Sequence, residues 1–214
     1  MAIINKESLV KIVRFPHPAL RYKAQPVKLV DNEVRKVIDA LRDLTYQNEG
    51  LGLAAPQLAV PLQIFFMNPT GEKAQQHEER VFLNPVITMR EGSIEKEEGC
   101  LSFPELYQNV RRAMKIQVKA YDPEGNPIDL IVDDLPARII QHETDHLHGK
   151  LFIDYFSTIG KLASRGMISQ FEREFNQAQE RGELPSKKEL LRQLRQLEEQ
   201  FKEESLISED QPKT

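Results

Sequence analysis

The nine residues Gln141 to Gly149, QHETDHLHG, constrain this chain more than any other stretch of its sequence. His142 and His146 are four positions apart, and on an α-helix that spacing places both imidazoles on one face, where they can bind the same ion. Glu143 points slightly aside, which suits a carboxylate that takes a proton from water at a metal without binding the metal itself. The motif therefore predicts a helix that carries a metal site. His148 lies off the shared face, and we expect it to be exposed.

A catalytic site of this kind needs a third protein ligand and one open position. In zinc endopeptidases the third ligand lies downstream, where this chain offers carboxylates: Asp154, Glu172 and Glu174. The alternative is the single cysteine, Cys100, in the upstream segment EEGCLSFP. A thiolate beside two imidazoles makes a softer site that also suits iron. The residues alone leave both ligand sets open, together with a closed structural site, although a nearby unligated Glu143 argues against the last.

Composition limits the class of protein and its partners. The chain has 214 residues, of which 40% are hydrophobic and 29% charged, and its formal net charge is -4. These values suit one globular domain with an appendage, without overall attraction to nucleic acid or anionic lipid. A single cysteine excludes an intramolecular disulfide and fits a reducing compartment. Without an apolar membrane-spanning run or a secretory signal, we predict a soluble, unexported protein with no membrane contact and no sequence-specific nucleic-acid contact.

Hydrophobic periodicity predicts a mixture of helices and strands. The predicted elements are helices at 31–48 and 135–149, strands at 62–67 and 80–89, and an antiparallel hairpin of 116–120 with 128–132. Asn84-Pro85 should interrupt the second strand, because proline cannot donate to a sheet. Residues 50–57, GLGLAAPQ, have neither helical nor strand periodicity, and we expect an unusually apolar loop.

The chain changes character after Ser157 and becomes charged, glutamine-rich and helical. An apolar stripe from Met167 to Phe175 predicts one helix, and a capping box at 186–189 precedes a second amphipathic helix. We therefore divide the chain into a catalytic metallohydrolase domain, residues 1–156, and a helical C-terminal extension, residues 157–214. The end of the extension, SLISEDQPKT, is expected to be disordered.

Three separate motifs resemble those of the peptide deformylases, in the same order and at similar spacing. They are GLGLAAPQ at 50–57, EGCLS at 98–102 and QHETDHLHG at 141–149. The resemblance extends from FPHPALR near the N-terminus to LFIDYFS and stops before the helical tail. It implies an α+β fold in which the metal-binding helix packs among antiparallel β-sheets, with a helical C-terminal extension.

The resemblance also implies a reaction, the hydrolysis of the N-formyl group from the formyl-methionine of newly synthesised proteins, with release of formate. The implied metal ligands are Cys100, His142 and His146. Glu143 would act as general base and then as general acid. The Gln57 side chain and the backbone N–H of Leu101 would donate hydrogen bonds to the oxyanion that develops on the formyl oxygen.

The implied native metal is Fe²⁺, with Zn²⁺, Ni²⁺ or Co²⁺ as substitutes, and an iron–thiolate site should be prone to oxidation. Gly50 and Gly52 would let a peptide approach as an added strand. Leu51, Leu135 and Ile139 are candidates for the wall of the methionine pocket. Formylated initiation implies a bacterial setting, and hence the bacterial cytoplasm.

The implied partners are the formyl-methionyl peptides of nascent chains. Preference beyond methionine depends on Phe103 to Tyr107 and stays open. The tail is compatible with a transient ribosome contact, a dimer contact or packing on the core, so the chain can be a monomer or a dimer. Glu98 is expected to support the metal site, paired with Arg111 or Arg112.

Overall fold

The structure is a computed structural model that describes the backbone of residues 11–209 and the side chains of residues 11–202. Within that range the helices are α1 (Asn32–Gln47), α2 (Asp134–Leu147), α3 (Thr158–Glu180) and α4 (Lys187–Glu209). The strands are β1 (Gly52–Ala54), β2 (Ile64–Met67), β3 (Arg80–Glu91), β4 (Ile94–Cys100), β5 (Phe103–Arg112), β6 (Lys115–Tyr121) and β7 (Pro127–Asp133). In the part of the chain that is described, no helix combines the length and apolarity needed to cross a bilayer.

Two antiparallel sheets enclose α2. One sheet has five strands in the order β1-β2-β3-β6-β7, and the other is the β4-β5 hairpin. The apolar side of α2, which includes Ile140 and Leu147, shares a buried cluster with Phe65 and Val118 of the large sheet. On its other side, Arg138 donates to backbone carbonyls of β4 and β5. The predicted α+β fold, with the motif helix among antiparallel sheets, is confirmed.

The first predicted helix is confirmed as α1. Asp31 caps it by accepting the backbone N–H of Val34 at 2.8 Å, which satisfies one of the free donors of the first turn. The apolar stripe that predicted the helix is buried against the large sheet, with Val37 and Leu41 fully enclosed. α1 therefore covers the face of β1 and β2 that α2 leaves open.

The prediction of a loop at 50–57 is wrong in part, because this segment supplies β1 and then a 3-10 turn, Ala55–Leu58. β1 pairs with β2, with Leu53 opposite Phe66, and both residues are buried. Three residues are too few to show a periodicity, so tertiary pairing decides their conformation. The interruption predicted at Asn84-Pro85 is a break in the β3-β6 register, and the Asn84 side chain bonds both backbone groups of Val27.

The two C-terminal helices pack on the rest of the chain. α3 places Met167, Ile168 and Phe171 against the cluster that contains β5. α4 contacts Pro18–Arg21 and buries Leu190 and Leu194. The prediction of a disordered end at 205–214 is wrong for residues 205–209, which continue α4, and residues 210–214 lie outside the described residues.

Candidate metal centre and active site

The metal motif lies on α2, as its spacing predicts. His142 and His146 are both buried, and their Nε2 atoms are 3.2 Å apart. Cys100 lies at the end of β4, where the register with β5 shifts after Gly99, and its Sγ is 3.4 Å from Nε2 of His146. The three candidate ligand atoms lie within 4.8 Å of one another. The hairpin and the helix thus bring together residues that are more than forty positions apart in sequence.

These distances fit one tetrahedral ion. Typical zinc bonds of about 2.05 Å to nitrogen and 2.3 Å to sulfur place tetrahedral ligands about 3.3 Å apart for two nitrogens and about 3.6 Å apart for nitrogen and sulfur. The observed separations are 3.2 Å between the Nε2 atoms of the two histidines and 3.4 Å between Cys100 Sγ and His146 Nε2. The donor set therefore matches a divalent metal, and three protein ligands leave the fourth position open.

Glu98 orients the first histidine. Its carboxylate accepts the Nδ1 proton of His142 at 2.7 Å, so Nε2 is the ring nitrogen that faces the other two candidate ligands. Arg112 donates to both Glu98 oxygens, and Arg138 donates to one of them at 3.0 Å. Burial would raise the pKa of Glu98, but hydrogen bonds from His142 and Arg112 outweigh it and hold that pKa well below its usual range. The predicted pairing with Arg112 is confirmed, whereas Arg111 pairs with Glu95.

The two histidines differ electrostatically. Burial lowers the pKa of His146 well below its ordinary value, which favours the neutral imidazole that binds metals. Burial acts on His142 in the same direction, but its interactions with Cys100 and with the Glu98 carboxylate outweigh burial and raise its pKa. Because a metal ligand must be deprotonated, an ion held between Cys100 and His142 would compete with that proton.

Glu143 stands beside this cluster with a free oxygen. The residue is buried, and its Oε2 has no hydrogen-bond partner among the described atoms. Burial raises the pKa of this carboxyl to about 7. A group with such a pKa both accepts and releases a proton near neutrality, which is what general acid–base catalysis requires. A Cβ added at Gly52 would lie 2.8 Å from Glu143 Oε1, so a glycine at this position is what lets β1 approach the carboxylate.

Gln57 is buried in the 3-10 turn after β1 and is fixed at both ends of its amide. Its Oε1 accepts the Ala54 N–H at 2.8 Å, and its Nε2 donates to Ser102 Oγ at 3.2 Å and lies 3.6 Å from Cys100 Sγ. Leu101 follows Cys100 in the turn between β4 and β5, and its side chain closes on Gly50. Both candidate oxyanion donors therefore lie next to Cys100.

A cavity of about 730 Å³ opens above these groups. His146 is buried and does not line this cavity, whereas the other predicted site residues do: Gly50, Leu51, Gly52, Gln57, Cys100, Leu101, Leu135, Ile139, His142 and Glu143. Ile139 is buried and Leu135 is 42% exposed. His148 is exposed, as predicted.

The three carboxylates that a protease-type site could use lie apart from the histidine pair. Asp154 pairs with Arg21, Glu174 accepts a hydrogen bond from Gln170, and Glu172 is exposed on α3. Among the described residues, the group that can hold a metal is the cysteine with the two histidines.

Sequence reasoning missed four residues that surround the metal centre: Ser102, Arg138, Asp145 and Tyr155. Three of them carried a usable signal, because Ser102 is in the EGCLS motif, Asp145 is in the QHETDHLHG motif and Arg138 is one helical turn before His142. Tyr155 carried none, since its contacts are with residues brought together only by the fold.

Comparison with known proteins agrees with this geometry. Residues 9–161 match the family model described as polypeptide deformylase. The chain is 43% identical to the peptide deformylase of Nitrosococcus oceani over 173 aligned residues, which are 81% of this chain and 98% of that protein. It is 36% identical over 184 residues to the peptide deformylase of Rhodopirellula baltica, covering 86% and 91% of the two chains.

Solved structures give the same result. The peptide deformylase of Plasmodium falciparum is similar with a TM-score of 0.75 at 34% identity, over 78% of this chain and 97% of that chain. A peptide deformylase from Legionella pneumophila is similar with a TM-score of 0.70 at 38% identity, over 78% and 96% of the two chains.

Proposed function

The chain belongs to the peptide deformylase family, metal-dependent hydrolases that remove the N-terminal formyl group of newly made proteins, and from that membership we propose a role for each site residue. The proposed metal ligands are Cys100, His142 and His146. When bound, the ion supplies Lewis acidity that lowers the pKa of a water molecule to about 7. We propose Fe²⁺ as the native ion, because a thiolate with two imidazoles suits iron, with Zn²⁺, Ni²⁺ or Co²⁺ as substitutes.

Glu143 is the proposed proton carrier. Its unpartnered Oε2 accepts a proton from the attacking water, and the same carboxyl then delivers that proton to the departing amine nitrogen. A pKa of about 7 supports both halves of the cycle, because neither protonation state is strongly favoured at neutral pH.

Gln57 and the backbone N–H of Leu101 are the proposed donors to the oxyanion. Support comes from the Gln57 amide, whose Oε1 is held by the Ala54 N–H so that Nε2 faces Cys100, beside the proposed position of the formyl oxygen. Loss of one such donor typically lowers the rate about a hundredfold or more.

The substrate peptide is proposed to bind in the cavity as an added strand. In the described sheets, β1 pairs only with β2 and β4 only with β5, and the free edges of both, at Gly50–Gly52 and Glu97–Gly99, line the cavity. An extended peptide can therefore hydrogen-bond to either edge. Leu51, Leu135 and Ile139 are the proposed wall of the methionine pocket.

The bacterial cytoplasm is the proposed setting, supported by bacterial relatives such as that of N. oceani. For the extension we propose packing on the catalytic core, supported by the burial of Leu190 and Leu194. Co-sedimentation with ribosomes tests a transient ribosome contact, and light scattering distinguishes a monomer from a dimer.

A single observation carries the assignment of roles: three ligand atoms lie within 4.8 Å beside a buried carboxylate oxygen that has no partner. The test is formate release from a formyl-methionyl peptide by protein purified without oxygen and loaded with Fe²⁺. Glu143→Ala should abolish release while metal content stays intact, and Cys100→Ala should lose the metal. Glu172→Ala is the control, since it changes an exposed glutamate and removes one alternative ligand of a protease. Full release by Glu143→Ala, or metal retained by Cys100→Ala, would refute the assignment.

A further inference from the structure

A continuous series of polar contacts joins His142 to Tyr155. Glu98 accepts the His142 Nδ1 proton at 2.7 Å, and Arg112 donates to Glu98 at 2.7 and 3.2 Å. The remaining nitrogen of Arg112, Nη1, donates to Asp145 Oδ2. The Tyr155 hydroxyl donates to the other Asp145 oxygen at 2.9 Å. Every nitrogen of this guanidinium is therefore committed to a carboxylate.

The same tyrosine also contacts Arg112 directly. Its ring covers the guanidinium, with the Arg112 Cζ 4.6 Å from the ring centroid. The Arg112 side chain is 4% exposed and the Asp145 side chain 17%. Charge-assisted hydrogen bonds in such a site are strong and directional, so the contacts that Tyr155 makes restrict where Asp145 and Arg112 can lie.

Tyr155 keeps its proton over the whole physiological range. Burial raises its pKa to about 12, and the Asp145 carboxylate acts in the same direction. The hydroxyl therefore remains a donor to Asp145. Tyr155 ends the 3-10 turn Phe152–Tyr155, two positions before Ser157 caps α3, so it belongs to the junction with the helical extension.

We propose that Tyr155 is a positioning residue of the metal centre, which acts through Asp145 and Arg112 to hold Glu98 against Nδ1 of His142. The proposal rests on the assigned role of His142 as a metal ligand. Direct outer partners of metal-binding histidines typically change affinity about 10- to 100-fold. Tyr155 is three contacts from the ring and contributes one hydrogen bond, so we expect a smaller effect, about threefold to tenfold.

The test measures Co²⁺ affinity of the metal-free protein by competition with a chelator, with the visible absorption of the cobalt site as readout. Tyr155→Phe removes the hydroxyl and keeps the ring over Arg112. Tyr121→Phe is the matched control, because that tyrosine is half exposed on β6 and its hydroxyl makes no hydrogen bond to any described residue. We expect Tyr155→Phe to bind Co²⁺ about threefold to tenfold more weakly than wild type, and Tyr121→Phe to match wild type.

A double-mutant cycle with Asp145→Asn tests the path of the effect. If Tyr155 acts through Asp145, adding Tyr155→Phe to Asp145→Asn should change the Co²⁺ dissociation constant less than about twofold, because the relay is already broken. A loss of packing alone would instead add to the effect of Asp145→Asn. The comparison of Tyr155→Phe with Tyr121→Phe remains decisive even if Asp145→Asn does not fold.

Equal affinity of Tyr155→Phe and wild type would overturn the proposal, and so would additive effects in the cycle. A third variant separates these failures from failure of the ligand assignment. His142→Ala must bind Co²⁺ far more weakly than wild type, since it removes a ligand. Unchanged affinity in His142→Ala would show that the assigned ligand set is wrong, whatever Tyr155 does.

Discussion

His17 should make the folded protein lose stability in mild acid. The residue is buried, its Nδ1 accepts the Ala19 N–H at 3.2 Å, and its ring meets the edge of Phe175 with centroids 6.3 Å apart. Burial lowers its pKa from 6.5 to about 4. His17 therefore binds a proton below about pH 6.5 in the unfolded chain, but only below about pH 4 in the folded chain.

The magnitude follows from the two pKa values. Because the unfolded state binds more protons in this window, the free energy of unfolding falls as the pH is lowered through it, and His17 has no effect above about pH 7.5. Between about pH 8 and about pH 5 the contribution of His17 decreases by about 2 kcal/mol, since each unit of pKa difference is worth about 1.4 kcal/mol.

The assay is urea unfolding of wild type and His17→Asn at both pH values, in the same excess of Zn²⁺. Asparagine can accept the Ala19 N–H and does not titrate, so its packing cost is equal at the two pH values and cancels. On acidification from about pH 8 to about pH 5, the free energy of unfolding should fall by about 2 kcal/mol more in wild type than in His17→Asn. Equal losses by the two proteins would refute the reasoning, because they would show that His17 titrates alike in both states.

Three further changes have expected outcomes. Gly52→Ala should lower kcat for formate release about a hundredfold at full metal content, because its Cβ would displace the Glu143 carboxylate; an unchanged kcat would contradict this. Gly149→Ala should lower the free energy of unfolding, measured in urea, by about 1–2 kcal/mol, because the φ of +69 at this position is unfavourable for alanine. A further loss is expected from a carbonyl oxygen 2.6 Å from the new Cβ, whereas Gly125→Ala, with φ +84 and open space, should show the conformational cost alone. Truncation after Gly182 should lower the free energy of unfolding by about 3–6 kcal/mol, since α4 buries two leucines, and an unchanged midpoint would show that α4 does not support the core.

The parts of the fold that sequence predicted are those with a local cause. α1 has its cap and its stripe within one run of residues, and α2 has its two proposed ligands at helical spacing. The hairpin of β6 and β7 alternates between apolar and polar residues on both strands. In each case the residues that determine the conformation are neighbours in sequence.

The β4-β5 hairpin was missed for a physical reason. β4 reads IEKEEGC, with three consecutive exposed charges, Glu95 to Glu97, and little β-branched character. In β5 the buried residues Phe103, Leu106 and Val110 are three and four apart, which mimics a helix. Glu105, with φ +63, breaks the alternation of the strand and creates that spacing.

The same distinction applies to the site. Sequence motifs identified the two histidines, Glu143 and Cys100. Tyr155 lies in none of these motifs, and only the fold places it beside Arg112. Gln57 alone would have been expected to be exposed, yet it is 2% exposed because Ala54 and Ser102 bind its amide. Contacts between distant segments have no periodicity from which they could be predicted.

The packing of α4 against the first part of the chain also sets an order of events during synthesis. Leu197 and Phe201 lie on the cluster that contains Val34 and Leu62. Translation at about 5–20 residues per second separates Val34 from Leu197 by about 8 to 33 s. During that interval the outer side of this cluster has no cover, and a nascent chain with an exposed apolar face is a substrate for chaperones. α4 therefore leaves the ribosome well after the surface that it covers in the folded protein.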